Sequence, residues 1–282
     1  MTAFISTHAS KRCLLRNILL MLSASFVPLG CESDETEQGS LDIEIHFAAM
    51  VGGDPFKCGE TYSDQGTKQT DVAFTDLRFY VYDVSLIDNN GDLIPLSLEQ
   101  DEVWQQGQVA LLDFEDGCEN GNAALNASVR GQVPGGRYKG VVFSVGLPPD
   151  LNSPETALEG RGSPLNISAM FWSWRSGYKY LRLDTDLPSF RVHLGANACD
   201  DDFSCDEPNI ATFSFEGFDY QSDQISLDLQ ELLSDSDLTQ NAEGTAPGCM
   251  GQGDDPDCQY IYDHFNLGEG DTSAFTVTPR SP

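Results

Sequence analysis

Positive charge is scarce in this 282-residue chain: 15 Lys and Arg stand against 45 Asp and Glu, a formal charge of −30 at pH 7. Such a surface repels phosphate backbones and anionic lipid, so no nucleic-acid partner is expected, and it favours cationic partners. Histidine is scarce too, at four residues. No GxSxG elbow and no HExxH pair occurs, which removes two common hydrolase signatures. No CxxC knuckle occurs, which removes the usual zinc site. Carboxylates are so abundant that pairing two of them as acid and base carries almost no information. After the first 30 residues no apolar run is long enough to span a bilayer.

What is present begins with an export signal. Lys11, Arg12 and Arg16 form a basic stretch, and NILLMLSASFVPLG (17–30) is an apolar segment too short to cross a membrane. It ends in Leu29-Gly30-Cys31, which looks like a bacterial lipobox, with Pro28 where a leucine is usual. Residues 1–30 are therefore expected to be removed and Cys31 to carry a lipid anchor, placing the protein in the periplasm or at the outer membrane or cell surface. Any contact with a membrane would be through that anchor. Residues 31–40 (CESDETEQGS) read as an acidic flexible tether, and 41–282 as one domain without internal repeats.

Six further cysteines, an even number in an exported chain, argue for disulfides. Fifteen pairings are possible. Cys199 with Cys205 and Cys249 with Cys258 are close in sequence, which leaves Cys58 with Cys118.

Leu41, Ile43, Ile45 and Phe47 alternate with Asp42, Glu44 and His46, the pattern of a half-buried strand. DLRFYVYDVSLID (76–88) reads as β structure, and DNNGD (88–92) supplies an Asn-Gly hairpin turn. Further strands follow at QVALLDFEDG, ASVRGQV, YKGVVFSVGL, PSFRVHLG and IATFSFEGFDY, separated by Gly, Asn and Pro. SLDLQELLSDSDL (226–238) reads as a strand turning into a short helix, and the tail from Gly248 as a disulfide loop with one helical turn. Many short strands with turns between them predict an all-β, antiparallel β-sandwich or jelly-roll domain.

Two features bear on ligands. The oxygen-rich loops DNNGD, DFEDGCENGN, CDDDFSCDE and GQGDDPD suit calcium, although turn chemistry explains their Asn-Gly and Asp-Gly steps equally well. MFWSWRSGYKYLRLDTD (170–186) crowds five aromatics into eleven residues. On a strand Trp172, Trp174 and Met170 share one face, where core packing would account for two stacked indoles. Soft or borderline metals favour thioether and imidazole, and Met170 and His193 lie on segments that suit neighbouring strands, so copper is chemically conceivable.

Several segments together resemble the MbnP family, the four-Cys partner of the metallo-mystery pair system. They are FAAMVGGDPFKCG (47–59), DLRFYVYDVSLI with NNGD (76–92), ALLDFEDGC (110–118), RYKGVVFSVGLPPDLN (137–152), MFWSWRSGYKYLRLD (170–184), VHLGANAC (192–199) and CMGQGDDPDC (249–258). They run in order along nearly the whole mature chain. The resemblance implies an exported copper-binding protein whose di-haem, MauG-like partner, MbnH, oxidises one tryptophan to kynurenine before copper is held. Trp172 or Trp174 is then the modified residue, Trp104 lying outside the matching segments. His193 is the leading copper ligand, His46 the second, with Met170, Met50 and His264 behind. Where family members often carry a histidine after the LN of GLPPDLN, this chain has Ser153.

The expectation is thus a non-enzymatic copper-homeostasis protein, itself a substrate of the di-haem partner. Its alternative is a lectin-like or adhesive surface module stabilised by calcium.

Overall fold

A computed structural model describes residues 39–118, 121–152, 161–172, 177–199 and 205–280. The leader, Cys31, Ser153 and Trp174 lie outside them.

Two sheets face each other. The first orders its strands Phe275–Pro279, Asp223–Asp228, Ser40–Val51, Ser128–Pro134 and Ser97–Leu98, with Asp54–Pro55 added to Ser40–Val51. The second orders Arg191–Leu194, Leu181–Thr185, Thr70–Asp88, Tyr138–Val145 and Ala211–Glu216. Thr61–Gln65, Leu93–Pro95 and Val109–Asp113 also pair with the 19-residue strand Thr70–Asp88. This is the sandwich expected from the sequence, with one departure. Ser40–Val51 and Asp223–Asp228 run parallel, His46 opposite Gln224 and Met50 opposite Asp228. A parallel neighbour requires a crossover rather than a hairpin, and here most of the chain lies between the two strands.

The alternation read in residues 41–51 is realised: Ile43, Ile45, Phe47, Ala49 and Val51 turn inward and are buried. They meet Leu77, Phe79 and Val81 of the long strand and Val141, Phe143 and Val145 of its neighbour in one core. Phe275 sits at its aromatic centre, with ring centroids 4.6 Å from Phe213 and 5.7 Å from each of Phe79, Phe143 and Phe265. Edge-to-face packing of this kind adds to the burial of each ring.

Three disulfides join Cys58 to Cys118, Cys199 to Cys205 and Cys249 to Cys258. The strand Asp223–Asp228 passes into the short helix Leu229–Leu233, capped by the Asp228 carboxylate, which accepts from Gln230 N. The tail holds more helix than one turn. Pro256–His264 spans nine residues, with Asp255 as N-cap and Pro256 at the first helical position, the arrangement that starts a helix most readily.

The long strand is buried on both faces. Leu77, Phe79 and Val81 enter the inter-sheet core, and the outward Asp76, Arg78 and Tyr80 are at most 3% exposed. Leu147, Leu165, Met170 and Tyr178 cover this outer face and form a second, smaller core with Tyr80, Leu111 and Tyr180.

Replacing Phe275 by alanine empties the meeting point of four rings. A loss of about 3–5 kcal/mol is expected, read as a lowered denaturant midpoint with unchanged far-ultraviolet dichroism after refolding.

Candidate metal centre

On the covered face of the second sheet, residue pairing sets a row of charged side chains across four strands. Asp113 lies opposite Arg78, Arg78 opposite Arg182, and Arg182 opposite His193. Asp76 and Asp184 face each other in the adjoining row. A side-chain period of two puts all six on one face. All but Asp184 are less than a tenth exposed.

Each charge has a counterpart, as burial requires. Arg78 Nε donates to Asp76 Oδ1 at 2.8 Å, and a second guanidinium nitrogen bonds Asp76 Oδ2. Arg182 Nε lies 3.1 Å from Asp76 Oδ2 and donates to Asp184 Oδ2 at 2.8 Å. His193 Nε2 is 2.6 Å from Asp184 Oδ1. Burial alone would raise the Asp184 carboxyl, but the hydrogen bond from His193 and the neighbouring Arg182 hold it well below the usual carboxylate range. Burial lowers His193, outweighing the hydrogen bond it donates to Asp184.

The consequence for His193 is a fixed tautomer. A neutral imidazole beside an ionised carboxylate must donate through Nε2, which leaves Nδ1 as a bare lone pair. That Nδ1 is buried and has no hydrogen-bond partner among the described residues. A carboxylate that orients a histidine through its other ring nitrogen is the usual support behind a metal ligand.

The tryptophan segment reaches the same face by a different local structure from the one expected. Met170 ends a 3-10 turn, Ser168–Met170, so strand alternation does not relate it to Trp172. The strand itself is only Phe171–Trp172, paired with Gly177–Tyr178. Lys179 Nζ and Arg182 Nη1 both donate to Ala169 O, at 3.0 and 3.1 Å, and so fix the approach to the hairpin. Burial pushes Lys179 down to about 8, with Arg182 adding to the effect. Trp172 is 3% exposed, and its six-membered ring lies against Gly195. Gly195 follows the strand Arg191–Leu194 that carries His193.

Tyrosines surround this corner. Tyr178 stacks edge-on with Phe171 and Tyr80, at 5.1 and 6.0 Å between centroids, and donates its hydroxyl to Leu165 O. Asn152 Oδ1 accepts from Tyr178 N at 3.0 Å, so the residue just before Ser153 is tied to the hairpin. An apolar cleft of about 220 Å³, lined by Pro149, Asn152, Tyr180, Ala196, Cys205 and Ile210, opens beside it. Trp104 also packs against the small core, half-buried.

The structure does not bring the other histidines or Met50 here. His46 and Met50 alternate with Ile45, Phe47 and Ala49, so they face outward from the first sheet, on the opposite side of the sandwich. His46 lies 3.7 Å from Glu44. The inter-sheet core therefore lies between His46 and His193. His264, at the end of its helix, is held by Thr272 Oγ1 and Asp235 Oδ2, each at 3.0 Å. Met170 is fully buried in the small core. In the DNNGD loop Asp88 Oδ1 accepts the backbone N–H groups of Asn90 and Asp92, which is turn chemistry. The carboxylates Asp76 and Asp113 have no distinguishing mark in the sequence. The one usable signal was the charged alternation of Arg182 and Asp184 within an otherwise apolar strand.

Fold and site together define a two-sheet all-β protein, fixed by disulfides, with a histidine–aspartate pair under an aromatic cover. The MbnP family model matches residues 40–251, and the chain belongs to that family. It is similar to the solved structure of MbnP from Methylosinus trichosporium, at 28% identity and a TM-score of 0.76, over 86% of this chain and 100% of that one. A comparison with curated proteins found no match. Among the described residues no helix is long and apolar enough to cross a membrane.

Two outcomes follow from this geometry. In Gly195→Ala the new Cβ would fall on the Tyr178 carbonyl oxygen and the Trp172 ring, so the variant loses thermal stability and its tryptophan emission shifts to the red. Burial pushes Asp113 up to about 7 from an ordinary 3.8. A raised pKa stabilises the fold fully below 3.8, and that contribution fades as pH climbs through 7. Asp113→Asn abolishes this dependence, so its melting temperature gains on the parent between pH 4 and pH 8.

Proposed function

We propose that this protein is an exported, lipid-anchored copper-binding protein of copper homeostasis. Its ligand set is completed when a di-haem, MauG-like partner oxidises Trp172 or Trp174 to kynurenine. The observation that carries the reading is the bare Nδ1 of His193, held by Asp184, with Trp172 buried against Gly195 just beyond the same strand. The kynurenine step is what the resemblance to the family implies, and membership in that family supports it.

The residues present fit copper. Imidazole nitrogen suits it, and an indole offers it almost nothing. Kynurenine replaces the indole with an aryl amine and a ketone, a net gain of one oxygen and loss of one carbon, and so adds a nitrogen donor. Bound copper would supply a redox-active, thiophilic cation to be carried or stored. His193 binds through Nδ1, Asp184 fixes the ring and its tautomer, and Lys179 with Arg182 positions the hairpin through Ala169 O. Tyr178, Tyr80 and Tyr180 are oxidisable rings through which electrons leave the tryptophan toward a haem oxidant docked outside. The protein acts as that enzyme's substrate and catalyses nothing itself. Ser153 stands where family members often carry a histidine, so this chain has one imidazole fewer than those relatives, and a lower copper affinity is expected.

The test is co-production with the di-haem partner, followed by peptide mapping and metal analysis. The reading predicts kynurenine at 172 or 174 and about one equivalent of copper. His193→Ala loses the copper but keeps the modification, and Asp184→Asn weakens binding roughly 10–100-fold. Intact tryptophans, or copper held equally by His193→Ala, would overturn it.

A further inference from the structure

A second group of donors lies apart from the histidine site, at the Cys58–Cys118 bond. Both sulfurs and a carboxylate oxygen of Glu115 lie within 4.8 Å of one another. Glu115 is fully buried. Its Oε1 accepts Gly117 N at 2.7 Å, and its Oε2 is buried with no hydrogen-bond partner among the described residues. A buried carboxylate with an idle oxygen is expensive to keep unless something else engages it.

The bond is placed so that it can open without loss of the fold. Cys58 is only partly buried, whereas Cys249 and Cys258 are fully buried. The chain on either side is held independently of the sulfurs. Phe56 N donates to Ala49 O at 2.9 Å and Gly59 N to Phe74 O at 2.7 Å. On the other side Phe114 N donates to Leu77 O at 3.0 Å and Glu115 N to Asp113 Oδ1 at 2.9 Å. Reduction therefore leaves two thiols beside a preset carboxylate.

We infer that Cys58, Cys118 and Glu115 form a redox-gated site for a thiophilic d10 cation, closed as the disulfide and opened by a dithiol reductant. The reductant delivers two electrons and two protons, the S–S bond breaks into two thiols, and the reductant leaves as its own disulfide. The cation then displaces both thiol protons and binds two thiolates and one carboxylate, a donor set matching zinc(II) or copper(I). The site does not involve His193 or either tryptophan, so it stands whether or not the proposed copper centre does.

Cadmium(II) is the probe, added to the purified exported chain after treatment with a dithiol. Its thiolate charge-transfer band reports binding, and alkylation mapped by mass spectrometry reports which cysteines the metal protects. The expected result is protection of Cys58 and Cys118 only after reduction, with displacement by zinc(II) or copper(I) and none by calcium(II). Protection persists in a Cys199→Ser/Cys205→Ser background. Glu115→Gln, which keeps the side-chain volume, weakens cadmium binding at least tenfold while circular dichroism is unchanged. The inference is overturned if reductant leaves the bond intact, if cadmium protects neither cysteine, if calcium displaces it, or if Glu115→Gln binds as tightly as the parent.

Discussion

The hydrogen bond between His193 and Asp184 is the interaction on which the second face of the large sheet turns. Asp184 is shared: one oxygen holds His193 and the other holds Arg182, which in turn reaches Asp76 and Ala169 O. One carboxylate thus fixes the imidazole tautomer and links it to the cationic pair that holds the start of the tryptophan hairpin. Buried ion networks contribute little net stability compared with apolar packing, and their attested use is to specify one arrangement. Here the arrangement specified is an imidazole whose Nε2 is tied to Asp184 and whose Nδ1 is buried without a partner among the described residues.

That face exists because the sandwich has more layers than its sheets alone would give. In an ordinary two-sheet protein the outer faces are wet and carry polar side chains. In this chain Leu147, Leu165, Met170 and Tyr178 cover the outer face of the strand Thr70–Asp88, so charges that alternation would place in water are buried and must pair. The low polarity that results neutralises His193 and raises Asp113. It also provides the dry surroundings in which a modified tryptophan and an imidazole would hold a metal against competition from water.

The sandwich itself was largely legible. Ile43, Ile45 and Phe47 alternate cleanly because one face of their strand is wet, and the Asn-Gly turn after Asp88 is encoded locally. The parallel pairing of residues 46–50 with 224–228 was not legible, since nothing local distinguishes a parallel edge from an antiparallel one. The helix Pro256–His264 is longer than the one turn the sequence suggests, because its start depends on the Asp-Pro step inside a loop that reads as turn chemistry. At the site, His193 and Trp172 were visible as residue types. Asp76 and Asp113 were not, because they look like any other carboxylate among 45 until the covering segment is in place. His46 shows the converse: its chemistry suits a ligand, and the pleat of its strand points it to the far side.

Nitrogen-15 NMR of the His193 ring tests the central claim most directly, with silver(I) as a diamagnetic stand-in for copper(I). The bond to Asp184 predicts a protonated Nε2 and a pyridine-like Nδ1 in the free protein. Silver added to the oxidised protein is then predicted to move Nδ1 and leave Nε2 protonated. A proton found on Nδ1, or an Nδ1 resonance indifferent to silver, would contradict it.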